Sequence, residues 1–84
     1  MLIVEENRIY MQDDTGKLIA EITFPETGVG EFTIDHIFVD ESLRGQGMAS
    51  KLVQTAVGEI EARGGTVKAT CSYAAKWLEK RISE

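Results

Sequence analysis

The sequence predicts a single mixed α+β domain spanning residues 1–84, and three observations carry that prediction. Apolar and polar residues alternate through much of 8–39, the period of half-buried strands. From Met48 the apolar spacing changes to three and four residues, the period of an amphipathic helix. A glycine pair then precedes a second short alternating run and a second helical stripe. The order is therefore an antiparallel hairpin, a central strand, and a β-α-β-α unit.

Each element has its own warrant. Residues 8–12 (RIYMQ) read as a strand, and Asp13-Asp14-Thr15-Gly16 as a turn with Gly16 at positive φ. Residues 17–24 (KLIAEITF) resume the alternation, with Leu18, Ala20, Ile22 and Phe24 on one face. Residues 25–30, holding the single proline and two glycines, read as a loop. Residues 31–39 (EFTIDHIFV) read as one strand, with Phe32, Ile34, His36 and Phe38 on one face and Thr33, Asp35, Ile37 and Val39 on the other. Apolar residues on both faces near its end predict a strand covered on both sides. Met48, Leu52, Val53, Ala56, Val57 and Ile60 form the stripe of a helix stopped by Gly64-Gly65. Residues 66–71 (TVKATC) form a short strand with Val67, Ala69 and Cys71 on one face. Ser72 caps a last helix carrying Ala74, Trp77, Leu78 and Ile82. The β-α-β order implies two parallel strands joined by a right-handed crossover.

Composition bounds what the chain can do. A chain of 84 residues buries only about 60–65% of its unfolded surface, so its core is small. With one cysteine, Cys71, it forms no intrachain disulfide, and Cys71 with the single histidine, His36, makes no closed zinc site. No metal is expected. The net charge of −5 argues against a nucleic-acid surface, which needs a basic face, and leaves room for a basic acceptor. The first residues have no basic stretch ahead of an apolar run, so no signal peptide is expected. No window approaches the roughly 18 apolar residues of a membrane span. The expectation is a cytoplasmic, reducing location with no membrane partner, and a monomer or weak homodimer formed through an exposed first strand.

Residues 44–49 (RGQGMA) carry the chemistry. A loop leaving a strand and entering a helix aims several backbone N–H groups at one point, where the helix adds about half a positive charge. Gly45, Gly47 and Ala49 give a diphosphate clearance to approach the backbone, and Arg44 adds a charged donor at the mouth. No Lys-Ser/Thr follows the glycines, which excludes a nucleoside-triphosphate P-loop. The Gly64-Gly65 break falls where a dinucleotide fold needs an acidic residue, which excludes that reading.

Arg44, Gly47 and Ala49 meet an Arg/Gln-x-x-Gly-x-Gly/Ala pattern that resembles the signature of the GNAT N-acetyltransferase superfamily. His36-x-x-Val39, Leu43 to Gly47, Leu52-Val53 and Cys71-x-Tyr73 look like its short, single-domain YjdJ-type branch, over about residues 8–80. The resemblance implies a minimal GNAT-like fold whose parallel strands splay to hold acetyl-coenzyme A (acetyl-CoA). It implies pyrophosphate contacts from Arg44, Gly45, Gln46, Gly47, Met48, Ala49 and Ser50. The pantetheine arm would lie along Ile37, Phe38 and Val39, with backbone bonds at Ile37 and Val39, and the thioester near His36 and Cys71.

Three side chains then have competing roles. His36 is a proton acceptor for an incoming ammonium, or a core histidine on the Phe32/Ile34/Phe38 face. Cys71 is a nucleophile that takes the acetyl group, or a small hydrophobe lining the cofactor slot. Tyr73 stands where some superfamily members place a general acid, or is a core aromatic. Trp77 is expected to be core. Two departures from the family pattern bear on the acceptor. The N-terminal helical region that builds the acceptor pocket in larger members has no counterpart here, and Lys80 to Glu84 replaces the His-Pro pair frequent in the short branch. The expected activity is acetyl transfer from acetyl-CoA to a primary amine, of a small molecule or a lysine side chain. The alternative is a non-catalytic acyl-CoA-binding module or sensor.

Overall fold

The computed structural model describes residues 2–83 as two small sheets with two helices. Strands β1 (Ile3–Val4), β2 (Arg8–Gln12), β3 (Leu18–Thr23) and β6 (His36–Val39) form an antiparallel sheet in that order. Strands β4 (Glu26–Gly28), β5 (Glu31–Ile34) and β7 (Thr66–Ala69) form the second, with β5 and β7 parallel. Helices α1 (Met48–Ala62) and α2 (Ser72–Ser83) follow β6 and β7.

The hairpin forms as its sequence dictates. The Asp13 carboxylate accepts from Thr15 N–H (2.8 Å), Thr15 Oγ1 (2.6 Å) and Lys17 N–H (3.1 Å), and Gly16 takes φ +87°. Those bonds hold the Asp13 carboxyl below the usual carboxylate range, the Thr15 hydroxyl contributing most. Ala20, Ile22 and Phe24 are fully buried, together with Ile9 opposite. Helix α1 closes the core with Leu52, Val53, Ala56, Val57 and Ile60, and α2 adds Ala74. Apolar burial of this kind is the main favourable term. The C-terminus of α1 is a Schellman motif, in which Gly65 N–H donates to Ile60 C=O and Gly64 N–H to Glu61 C=O, both at 2.9 Å. Gly64 takes φ +75°, a conformation any residue with a Cβ resists.

The largest correction concerns residues 31–39. They are not one strand: the chain breaks at Asp35 and its two halves join different sheets. Asp35 N–H donates to the Thr23 carbonyl (3.2 Å) while His36 pairs with Thr23, so two residues oppose one, as in a β-bulge. The extra residue shifts the alternation by one. Phe32 and Ile34 face the core, but then Ile37 and Val39 do, and His36 and Phe38 turn outward. His36 is therefore not a core histidine, and β6 is covered on one face only.

Smaller differences follow from pairing. Residues 26–28, read as loop, form β4, because the chain doubles back beside β5. Strand β2 is not an exposed edge, since β1 pairs with it. Strand β7 ends at Ala69, leaving Cys71 beyond it. Ser72 is the first residue of α2 rather than its cap; the Cys71 carbonyl accepts from Ala75 N–H (2.9 Å). Trp77 and Leu78 pack partly buried against the core, whereas the side chain of Ile82 lies outside the described residues.

Candidate functional site

The break at Asp35 creates the site. β5 and β7 stay paired through Ile34 and Ala69, after which Thr70 and Cys71 both donate N–H groups to the Ile34 carbonyl (3.1 and 3.3 Å). Beyond that point β6 follows β3, while the other chain turns into α2. The parallel pair thus opens like a fork. Its wall on one side is the edge of β6 that does not pair with β3.

The ladder phase says which groups line that edge. Asp40 N–H donates to the Ile19 carbonyl (2.8 Å), so 19/40 is a hydrogen-bonded pair. In an antiparallel ladder such pairs alternate with non-bonded ones, which makes 21/38 and 23/36 bonded and 20/39 and 22/37 not. The peptide groups of Ile37 and Val39 are therefore turned away from β3 and toward the fork, and those of Phe38 toward β3.

The strand then delivers the chain to the glycine loop. Asp40 accepts from Ser42 Oγ (2.7 Å) and Ser42 N–H (3.1 Å), capping a 3₁₀ turn at Glu41–Leu43. Those donors, the hydroxyl first, hold the Asp40 carboxyl below the usual carboxylate range, with Lys17 Nζ at 3.6 Å adding to the effect. Gln46 Nε2 reaches the Ser42 carbonyl at 3.5 Å across the loop. Gly45 and Gly47 take φ +80° and +69°, so both glycines are required by backbone shape. Gly47 caps α1 without any side-chain bond, and the first intrahelical bond runs from Lys51 N–H to the Gly47 carbonyl (3.1 Å). The N–H groups of Met48, Ala49 and Ser50 thus precede the first helical donor, in the field of the helix N-terminus. This arrangement is built to receive an anion of low bulk.

The other expected residues fall in distinct places. Cys71 sits partly buried at the fork, packed against the core. The His36 imidazole lies on the outer sheet face, its Nε2 3.6 Å from Glu21 Oε1. Cys71 bonds to the Ile34 carbonyl, whereas His36, two residues beyond Ile34, pairs with Thr23, and their side chains meet different surroundings. Glu21 also accepts from Arg8 Nε (2.5 Å), which raises the Arg8 pKa, and Arg8 stacks on Tyr10 at 4.0 Å. The sequence pattern hides Glu21, because the shift at Asp35 that puts His36 on its face is not visible in the alternation. Tyr73 is 44% exposed and so not a core aromatic. Trp77 is half-buried and donates from Nε1 to Ser50 Oγ (3.1 Å), tying α2 to the first turn of α1. Among the described residues no group of three or more His, Cys, Asp or Glu is placed to hold a metal, and no helix is long and apolar enough to cross a membrane.

A forked parallel pair, a strand edge along the fork and a positive-φ glycine loop at a helix start define an acyltransferase-type fold. Residues 8–83 match the family model of the GCN5-related N-acetyl-transferases, and the chain belongs to that family. A solution structure from Staphylococcus aureus described as GCN5-like is 35% identical, over 99% of this chain and 81% of that one, with a TM-score of 0.79. An acetyltransferase from Bacillus cereus is 25% identical over 93% of this chain and 56% of its own, with a TM-score of 0.70. The ribosomal-protein-alanine N-acetyltransferase of Brucella melitensis is 25% identical over 89% and 58%, with a TM-score of 0.56. This chain thus spans little more than half the length of the latter two. A search of curated proteins returned no match.

Proposed function

We propose that this chain binds acetyl-CoA and transfers its acetyl group to a primary amine by direct attack on the thioester. In this reading the N–H groups and small residues of 44–50 hold the pyrophosphate. The pantetheine arm enters the fork and bonds to the peptide groups of Ile37 and Val39, alongside Phe38. Support rests on one juxtaposition: the edge of β6 that faces away from β3 leads into a glycine loop whose two positive-φ residues open a helix start. Membership of the N-acetyltransferase family supports a CoA-based acyl donor.

The chemistry needs one proton removed and one supplied. An amine attacks the thioester carbonyl, the C–S bond breaks, and the CoA thiolate leaves. His36, on the open sheet face and oriented by Glu21, receives the proton lost by the ammonium. Tyr73, exposed at the start of α2, supplies the proton the thiolate takes up. Cys71 lines the fork; a route through acetyl-Cys71 would show as a 42 Da adduct that Cys71→Ala abolishes.

A second reading, a non-catalytic acyl-CoA-binding module, is favoured by the solvent-open face around His36 and Phe38, the latter 36% exposed. Release of free thiol from acetyl-CoA with a panel of primary amines separates the two. The enzyme reading expects at least one amine to raise release well above hydrolysis, and His36→Ala to lower it about 10²-fold or more. Binding of acetyl-CoA with no amine-dependent release would leave the binding module.

A further inference from the structure

We propose that Arg8 is a positioning residue for proton transfer: by holding Glu21, it sets how tightly His36 keeps a proton it has accepted. The proposal rests on the reading in which His36 receives the proton lost by the ammonium, and it adds a residue that acts one step removed from the substrate.

Three adjacent strands bring the three side chains together. Arg8 on β2 and His36 on β6 each stand opposite Thr23 of β3, so they share one cross-strand row of the outward sheet face. Glu21, two positions before Thr23, lies in the next row of that face and reaches diagonally to both. Its Oε2 accepts from Arg8 Nε at 2.5 Å, and its Oε1 stands 3.6 Å from His36 Nε2. The carboxylate thus turns one oxygen to each neighbour. The Glu21 side chain is 17% exposed, against 37% for Arg8 and 55% for His36, so the shared group is the most shielded of the three.

That sharing has a chemical consequence. Nε2 is turned to Glu21, which leaves Nδ1 to take the proton. The ammonium N–H bond breaks, an N–H bond forms at Nδ1, and the amine keeps the electron pair with which it attacks. The imidazolium then directs its Nε2–H toward Glu21, and Nδ1 later returns its proton to water. A lone carboxylate at this distance would favour the imidazolium strongly and slow that return. Arg8 is permanently charged and already bonded to the same carboxylate, so His36 meets an ion pair rather than a full negative charge.

The remaining charges of this face are engaged with other groups. Asp35, next to His36 in the chain, accepts from Thr23 Oγ1 at 2.5 Å. Glu31 and Lys68, on the outward side of β5 and β7, pair with each other at 3.2 Å, and Glu5 reaches Arg8 at 3.4 Å. Helices α1 and α2 pack on the opposite face, in the core cluster with Ile37 and Val39. Among the described residues, Glu21 is the carboxylate within ion-pair distance of His36.

His36 is the single histidine, so its ring protons report its charge by NMR in the protein alone, with no acceptor present. The readout is the pH at which their shift is half complete. Arg8→Gln is expected to raise that pH by about half a unit and Glu21→Gln to lower it by about as much, while Arg8→Lys, which keeps the charge, leaves it in place. In the Glu21→Gln background, Arg8→Gln should move it less than half as far as it does alone, because the effect runs through the carboxylate. The pH of half-maximal amine-dependent thiol release should move in the same directions. Single variants that move the NMR midpoint the same way or not at all, an undiminished Arg8→Gln shift without Glu21, or a release profile that stays put would each overturn the proposal and leave acetyl transfer standing. The expected midpoints without any amine-dependent release would keep the coupling of Arg8 to His36 and overturn the transfer reading instead.

Discussion

Gly47 and Gly65 are both next to the ends of α1, and they are glycine for different reasons. At Gly47 a Cβ meets nothing within 4 Å, but φ is +69°, so Gly47→Ala is opposed by backbone conformation alone, at about 1–2 kcal/mol. At Gly65 a Cβ would stand 2.9 Å from the Phe32 ring and 3.0 Å from Ile60, so Gly65→Ala overpacks the core, at about 1–3 kcal/mol. Thermal unfolding of both variants should show losses of this size, about 4–8 °C per kcal/mol in a domain this small. Only the first is expected to weaken acetyl-CoA binding as well, and Gly47→Glu, which adds a negative charge at the pyrophosphate, should abolish it. Gly47 was legible in the sequence because two glycines at a strand-to-helix turn signal positive φ and an open backbone. The steric demand at Gly65 was not, since the Phe32 ring that imposes it lies 33 positions away in the chain.

Among the elements, the 3₁₀ turn at Glu41–Leu43 is capped by a group whose ionisation matters to it. The Asp40 carboxyl that caps it has a folded pKa below its unfolded value, chiefly through the Ser42 hydroxyl, and Asp13 behaves alike through Thr15. A depressed carboxylate stabilises the fold above its unfolded pKa of about 4 and loses that contribution as pH falls through the folded value. Stability should therefore be level in these two groups from neutral pH down to about 5, and should decline below about 4. Asp40→Ala is expected to flatten part of that decline and to weaken acetyl-CoA binding by a few-fold, read by calorimetry at two pH values. The neighbouring strand shows where sequence reading stops. In Ile37-Phe38-Val39 three apolar residues stand in a row, so either phase of a period-2 pattern fits, and the bulge at Asp35 chooses between them. Pairing with Thr23, distant in sequence, decides that phase and with it the side on which His36 stands.

Over the whole molecule the stability expected of 84 residues is about 4–13 kcal/mol. Phe24 is fully buried in the single core cluster, and Phe24→Ala should cost about 3–5 kcal/mol, a large share of that total. Urea titration should place the variant near its midpoint at low denaturant or unfolded without it. The helices, the hairpin and the β-α-β crossover were legible because each rests on local periodicity and punctuation. The division into two sheets, the pairing of Glu21 with His36 and the bond from Trp77 to Ser50 were not, because each is made by residues brought together only after the strands have paired. The central claim is that one acetyl-CoA molecule lies along β6 and across the loop at 44–50. The most direct test is an amide-resolved NMR titration with acetyl-CoA. Saturable shifts centred on Ile37, Val39 and Gly45 to Ser50, with the core of β2 and β3 unmoved, are the predicted result. Absence of binding at high micromolar ligand, or shifts centred away from those residues, would contradict it.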